Sequence, residues 1–519
     1  MTVGAAELSE FKTAKNTVVL SDLHLADAER PPPGKPLWKR FKSPDLFVDS
    51  SFRKLLEHLQ AAMEGPIELV LNGDIFDFDS VLALPERPEF PVSWLERRRG
   101  LKAEEPKSRF KIRRILQDHP AFVEALREFL LRGHRVIFVA GNHDIELMWT
   151  GVQRDIVQTL DLPEELRENV RFVEWFYISN QDTLIEHGNQ YDAYSACANP
   201  LYPLIKKGSR KSLRLPFSNL AGRYMTNGMG LFNPHVEGSY IMSFRGYLAF
   251  FFRYLLRVQP LLLWTWLWGA IVTLVDSLSE GLKPAYKDPL SFQKRVEEIA
   301  FRSNATPVQV MALRELHAHP AVFNPFMVMR ELWLDRFVLL GVVWFASFQI
   351  FSTLNVFARV SSLWFWIPLA LFMAAFIFYA QSVRSDVYKV QKAALRRVPA
   401  AAAIAGVSRV VHGHTHRERH LSYKGVEVLN SGTWSPAFHD VECTQPFGSK
   451  CFAWIRPRSG SEAGGAGTNA REAGLYVWGV GGAEVFIPPS AKVIEVPLER
   501  RAAAPPPAPF KFSRRNRMP

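Results

Sequence analysis

The stretch RVIFVAGNHD, residues 135–144, is an apolar, β-branched run that stops at Gly141 and hands over to Asn142, His143 and Asp144. Too short for a helix and closed by glycine and three polar side chains, it reads as a buried strand opening into a working loop. The same grammar recurs on both sides. Upstream, TVVLSD (17–22) and IELVLNGD (67–74) end in Asp22 and Asp74; downstream come DTLIEHGN (182–189), SRVVHGHTH (408–416) and GVEVLNSGTW (425–434). Between the first three runs, LFVDSSFRKLLEHLQAAM (46–63) and HPAFVEALREFLLRG (119–133) carry helical spacing, the second closed by Gly133 as a C-cap. Strand, loop, helix, strand is the order of an α/β domain, which gathers functional side chains at strand C-terminal ends.

Of 519 residues, 48% are hydrophobic and 22% charged, with 14 Trp and 38 Phe, so the main body is neither disordered nor collagenous. Three cysteines (Cys197, Cys443, Cys451) without paired spacing exclude a disulfide scaffold or thiolate zinc cluster and fit a reducing compartment. The opening MTVGAAELSEFKTAKN lacks the apolar region of a signal peptide, and export by that route is not expected. The segment 81–112, charged and Pro-interrupted, reads as a surface excursion. Residues 457–473 read as a flexible Gly/Ala/Ser-rich loop before the strand-like LYVWGV, and 501–519 as a disordered basic tail.

The net charge of +12 is concentrated in one place. Residues 201–400 hold 23 Lys and Arg against 10 Asp and Glu, and the rest of the chain is close to neutral. The same stretch contains three runs without a charged residue, 258–275, 337–358 and 360–383. A bilayer-spanning helix needs about 17 to 25 mostly apolar residues. The expected organisation is therefore a soluble domain in two parts, 1–200 and 401–500, around a helical, membrane-embedded insertion at 201–400.

Singly, the strand-end motifs are weak, since Asp22-Leu-His24 also fits a turn and Asp74 a helix N-cap. Their conjunction is not weak: Asp-x-His, Gly-Asp-x-x-Asp, Gly-Asn-His-Asp, His-Gly and Gly-His-x-His occur in that order, each directly after a strand-like run. Oxygen and imidazole donors without thiolate suit a pair of borderline or hard divalent metals, with one carboxylate bridging them.

In these motifs the chain resembles the calcineurin-like metallophosphoesterase superfamily, over about residues 17–195 and 407–435. The resemblance implies a four-layer α-β-β-α sandwich. It implies Asp22, His24 and His416 on one metal, Asn142, His187 and His414 on the other, and Asp74 bridging. His143 matches the histidine that stabilises or protonates the leaving oxygen, and Asp77 the carboxylate that orients it. Manganese is the metal expected first, with iron, zinc, nickel or cobalt as alternatives. For the second metal's first histidine, His58, His119 and His134 compete with His187, which follows TLI, precedes Gly188 and falls in the family's order. His412, His420, His317 and His319 read as structural or surface residues.

Two departures bear on substrate. Protein phosphatases of the superfamily follow the second Asp of Gly-Asp-x-x-Asp with a phosphate-gripping arginine, whereas this chain has Phe78. The layout is similar to the UDP-2,3-diacylglucosamine pyrophosphohydrolases, which insert a lipid-binding helical cap just after the His-Gly motif. Those enzymes usually carry Arg where His143 stands, and their cap is far smaller.

Because the two halves of the metal motif flank the insertion, both its ends must return to one side of a membrane, so an odd number of spans is excluded. The runs at 337–358 and 360–383, separated by Arg359, make a hairpin over 337–383. The segment 246–276, with Arg253 and Arg257 on one face, is expected to be interfacial or re-entrant. Basic residues at Lys206, Lys207, Arg210, Lys211 and Arg214, and at Arg384, Lys389, Lys392, Arg396 and Arg397, put the catalytic side in the cytoplasm. The expected function is a membrane-bound two-metal hydrolase of a phosphoester or pyrophosphate on a lipid-linked, membrane-proximal or nucleotide substrate. The alternatives are a nuclease or cyclic-nucleotide phosphodiesterase of the same superfamily, or an inactive membrane scaffold. Nucleic acid is disfavoured as a partner because a basic channel should interleave charge and aromatics without bilayer-length apolar runs.

Overall fold

The structure is a computed structural model and describes residues 13–207, 210–233, 235–236, 249–255, 261–284, 291–382, 387–458, 471–479 and 482–485. The tail 501–519, most of the loop 457–473, Arg257 and Arg384 lie outside the described residues.

Each short apolar run forms a strand, and the strands make two facing sheets. In the seven-stranded sheet, β1 (Asn16–Leu20), β2 (Ile67–Asn72), β3 (Arg135–Val139) and β4 (Val170–Val173) are parallel. Beyond β1 the antiparallel β12 (Cys451–Pro457), β13 (Arg471–Gly479) and β14 (Gly482–Val485) extend it. The five-stranded sheet runs β10 (Arg419–Tyr423), β11 (Val426–Asn430), β9 (Arg409–His412), β6 (Thr183–Glu186), β5 (Phe176–Ser179), with β11, β9 and β6 parallel. Val19, Val70, Ile137 and Val139 of the first sheet interdigitate with Tyr177, Ile185, Val411 and Leu429 of the second. Both faces of these strands are buried, which is why the parallel ones read as continuous apolar runs.

The outer face of the first sheet is covered by α1 (Asp49–Ala62), α3 (Glu105–Asp118), α4 (Pro120–Leu131) and α5 (Thr150–Thr159), while α2 (Trp94–Arg99) lies beside them in sequence. The segment 81–112 is a surface excursion only in its first part: residues 82–99 are mostly exposed or half-buried, whereas from Gly100 the chain turns inward. Pro106 opens α3 in its first turn, and Lys107 and Lys111 are buried in ion pairs with Glu96 (2.6 Å) and Glu146 (2.8 Å). Charge content reports exposure only when the charges lack such partners.

The hairpin β7 (Leu204–Lys207) and β8 (Arg210–Leu213) begins the insertion. Its helices are α6 (Phe217–Ala221), continued by a π-helical turn Gly222–Thr226, α7 (Leu262–Leu282), α8 (Phe292–Arg302), α9 (Pro307–Arg314), α10 (Pro325–Glu331), α11 (Leu334–Ala358), α12 (Leu363–Ser382) and α13 (Val387–Ala405). These do not form a separate body. Val296 and Ile299 of α8, Val310 and Leu313 of α9, and Val398 and Ala401 of α13 pack on Ile178, Leu184, Val410 and Val428, so the sandwich's fourth layer comes from inside the insertion.

Among the described residues α7, α11 and α12 are long and apolar enough to cross a membrane. The hairpin α11–α12 turns at Arg359, and its open end is tied by the Tyr379 hydroxyl donating to Asp335 (2.7 Å). The third helix begins and ends later than the charge-free run 258–275 and takes in Asp276 and Glu280.

Candidate metal centre

The C-terminal ends of β1, β2, β3, β6 and β9 meet at one rim of the sandwich, and every residue carried over from the family motif lies in the loops that leave them. Backbone bonds lock these loops together: Asp22 N–H donates to Gly73 O (3.1 Å), His24 N–H to Asp74 O (2.9 Å), and Gly413 N–H to His187 O (2.9 Å). His143 N–H and His414 N–H donate to carboxylate oxygens of Asp74 (2.8 Å) and Asp22 (3.1 Å). Asp22, His24, Asp74, His414 and His416 all hold φ between +50° and +62°, a conformation that costs non-glycine residues energy and concentrates at functional sites. The motif glycines are there for proximity. A Cβ on Gly141 would stand 2.3 Å from an Asp74 carboxylate oxygen, and one on Gly73 would stand 2.4 Å from the His187 ring.

Asp22 Oδ1, His24 Nδ1, Asn142 Oδ1 and His187 Nε2 are buried without a hydrogen-bond partner. Of these, Asp22 Oδ1 and His187 Nε2 face the gap between the loops, and buried orphans are expensive unless something electropositive completes them. The tautomers agree. His187 Nδ1–H donates to Asn72 O (2.9 Å) and His416 Nδ1–H to His235 O (2.8 Å), so both present Nε2 lone pairs inward. There His187 Nε2 stands 3.0 Å from Asp74 Oδ2, and His416 Nε2 stands 3.1 Å from Asp22 Oδ1 and 3.3 Å from His24 Nε2. His414 Nε2–H meets Asp192 (3.1 Å), which leaves its Nδ1 for the centre. Lone pairs aimed at one another across about 3 Å repel unless a proton or a metal ion lies between them, and carboxylate or carbonyl contacts on the far ring nitrogen are the usual support of a ligating histidine. Two groups therefore can each hold an ion, Asp22–His24–His416 and Asp74–His187–His414, with Asp74 also within reach of His24. Clustered in this way, the His and Asp groups make a candidate dinuclear divalent-metal site.

His143 stands at the rim, partly open to solvent, with Nδ1 3.2 Å from Asp77 Oδ1. Burial pulls its pKa down, but the Asp77 and Asp74 carboxylates outweigh burial and push it up to about 10. Burial raises the Asp77 carboxyl, and the facing His143 and His235 hold it well below the ordinary value. Asp77 is braced by Ser80, whose N–H donates to Oδ1 (3.1 Å) and whose hydroxyl donates to Oδ2. Asp144 braces the loops, accepting from Ile75 N–H (2.8 Å) and Gly141 N–H (2.6 Å).

The competing histidines lie elsewhere. His119 bridges Asp49 and Ala26 O, His134 accepts from Ile67 N–H, and His58 rests on Trp478. His412 pairs with Glu186 and His420 with Glu427, while His317 is buried against Trp175. Three participants are invisible in the motif pattern. His235, from the insertion, stacks on His24 with centroids 3.9 Å apart; Asp192 supports His414; and Asn219 of α6 donates to Asn142 O (2.7 Å) and Asp79 (2.6 Å). Only Asp192, a carboxylate five residues after His187, left a signal that a search for second carboxylates could have found.

Phe78, in the place of the protein phosphatases' arginine, is fully buried, with Lys111 Nζ 5.3 Å from its ring centroid. The family described as Calcineurin-like phosphoesterase matches residues 15–217, which contain every motif up to His187-Gly188. No curated protein and no solved structure matches the chain. The match from residue 15 and the sandwich built on it support a calcineurin-like metallophosphoesterase domain in this chain.

Proposed function

We propose that this chain is a membrane-anchored, dinuclear-metal hydrolase of a phosphoester or pyrophosphate bond in a lipid-linked or membrane-proximal substrate. The observation that carries the reading is the clustering of Asp22, His24 and His416 and of Asp74, His187 and His414 beside a His143–Asp77 pair at the open rim. A divalent pair, manganese first among the candidates, would supply Lewis-acid neutralisation of phosphoryl charge and a nucleophilic water at neutral pH. Asp22, His24 and His416 are assigned to one ion, and Asn142, His187 and His414 to the other, with Asp74 shared. Asp77 keeps the His143 Nδ1 proton in place, so Nε2 meets the leaving oxygen and supplies its proton. The buried Phe78 supports a substrate other than a phosphoprotein.

The hairpin α11–α12 is assigned to the bilayer. Its faces carry Phe337, Trp344, Phe345, Phe357, Trp366 and Phe378 exposed, more apolar surface than a soluble monomer leaves in water. The basic flanks support a catalytic domain on the cytoplasmic side.

The test is the detergent-purified enzyme with manganese, assayed against p-nitrophenyl phosphate, its bis ester, cyclic nucleotides, DNA and lipid-linked pyrophosphates. Activity on the lipid-linked pyrophosphates is expected, abolished by chelation, with Asp74→Asn binding less than half the wild-type metal. Turnover unaffected by chelation, or by Asp74→Asn, would overturn the two-metal reading.

A further inference from the structure

Helix α7 has the composition of a membrane span, yet its neighbours in the chain do not let it cross. Before it, Asn219, Arg223 and Asn227 hydrogen-bond Asp79 beside the metal centre, and the Tyr254 hydroxyl donates to Glu442 (2.9 Å). After it, α8 and α9 pack on the second sheet. Both ends of α7 thus return to the catalytic domain, and a single crossing would strand one of them on the far side.

Its surface is inside-out for a helix in water. Leu262, Gly269, Ala270, Thr273, Ser277 and Glu280 are buried against the protein, with Leu267 and Leu274 half-buried beside them. Spaced three, four or seven residues apart on the opposite stripe, Leu261 (68% exposed), Trp264 (65%), Ile271 (48%), Val275 (60%) and Leu282 (86%) face outward. A helix on a soluble protein does the reverse. The rim beside this stripe is basic and aromatic. Exposed Trp94 of α2 meets Trp268 edge-on at 6.1 Å, Arg98 lies 4.7 Å over Trp94, and Arg99 lies 5.2 Å over Trp268. Lys102 pairs with Asp276 at 3.7 Å. Guanidinium groups beside the midpoint of α7 belong at headgroup level rather than in hydrocarbon, where tryptophan also concentrates. The inner face of α7 meets the hairpin, with Trp266 6.4 Å from Phe337 at the start of α11.

We propose that α7 lies in the plane of the membrane, its outward stripe in the acyl boundary of the leaflet nearest the metal centre. On this proposal α2 presents Trp94, Arg97 and Arg98 to anionic headgroups, so that the two helices form a platform seating the catalytic domain on the lipid surface. The proposal rests on the reading of α11–α12 as the membrane hairpin. It commits to a lipid surface because the rim is cationic and α7 itself packs beside the hairpin. In-plane amphipathic helices bind through this combination of buried apolar area and attraction to anionic lipid.

The test uses the full chain with Cys197, Cys443 and Cys451 replaced and one nitroxide label at position 261, 264, 271 or 275. The protein is reconstituted in mixed phosphatidylcholine–phosphatidylglycerol vesicles, with manganese-dependent p-nitrophenyl phosphate hydrolysis confirming the fold. Relative accessibility to oxygen and to a nickel chelate should give all four positions one shallow depth, whereas labels at 338, 345 and 356 of α11 should step through the bilayer. The double variant Arg97→Glu, Arg98→Glu should raise nickel accessibility at 271 severalfold. A depth gradient along α7 would overturn the proposal by making it a span. Water-like or protein-immobilised labels there would overturn it by leaving the stripe bare or covered by another chain. If the α11 labels show no gradient, the hairpin reading fails by itself, whatever depth α7 reports.

Discussion

Asp77→Asn isolates one charge at the centre. Both Ser80 N–H and His143 Nδ1 meet Asp77 Oδ1, so an asparagine with its oxygen in that position keeps these two hydrogen bonds, turns the Ser80 hydroxyl at the other position from donor to acceptor, and removes the negative charge. At 3.2 Å and an effective dielectric of 20 the lost attraction is about 5 kcal/mol. Raising His143 from 6.5 to about 10 corresponds to a similar figure, about 5 kcal/mol at 1.36 per unit. Asp74 contributes part of that shift, so Asp77 alone should be worth about two pH units. The sign follows from His143 acting as a proton donor. Its pKa is raised in the folded protein, so the donor form survives to higher pH, and removing Asp77 brings its loss to lower pH. Bound cations lower the pKa in wild type and variant alike, so the observable is the displacement between the two. Profiles of kcat/KM against pH with manganese should show the basic limb of Asp77→Asn about two units below wild type, with metal content unchanged. Superimposable profiles would refute the proton-donor role, and metal lost in proportion to activity would make Asp77 part of the metal site instead.

Three further outcomes are expected. Gly141→Ala should abolish metal binding while leaving the circular dichroism spectrum intact, because its Cβ would displace Asp74 and the Asp74 backbone N lies only 2.7 Å away. Arg223→Met should lower stability by about 3 to 5 kcal/mol, since it leaves Asp79 charged and buried, and Asp79→Leu in the same chain should restore most of it in thermal unfolding in detergent. Sodium carbonate and high salt should leave the protein in the membrane pellet, and deletion of 337–383 should make its binding salt-sensitive. Carbonate extraction of the wild type would mean that the hairpin does not span.

Which parts of this protein were legible in one dimension follows from the range of the interactions involved. Each loop of the candidate site is a local event, a β-branched run ended by a short set of polar residues, so the order of the five motifs was readable before folding, and the resemblance attached Asp22, His24, Asp74, Asn142, His143, His187, His414 and His416 to it. The hairpin was equally readable, because bilayer length and the absence of charge are properties of a continuous segment. What tertiary structure decided depends on residues far apart in the chain. The insertion supplies the outer layer of the second sheet because the 3.6-residue stripes of α8 and α13 meet β5, β6 and β9, and a stripe does not name its partner. Lys107 and Lys111 are buried because Glu96 and Glu146 are waiting for them. His235 and Asn219 reach the metal centre only through the way the insertion folds back over the rim. Helix α7 shares its composition with a span, and its flanking contacts with Asp79, Glu442 and the second sheet, all long-range, leave no mark in that composition.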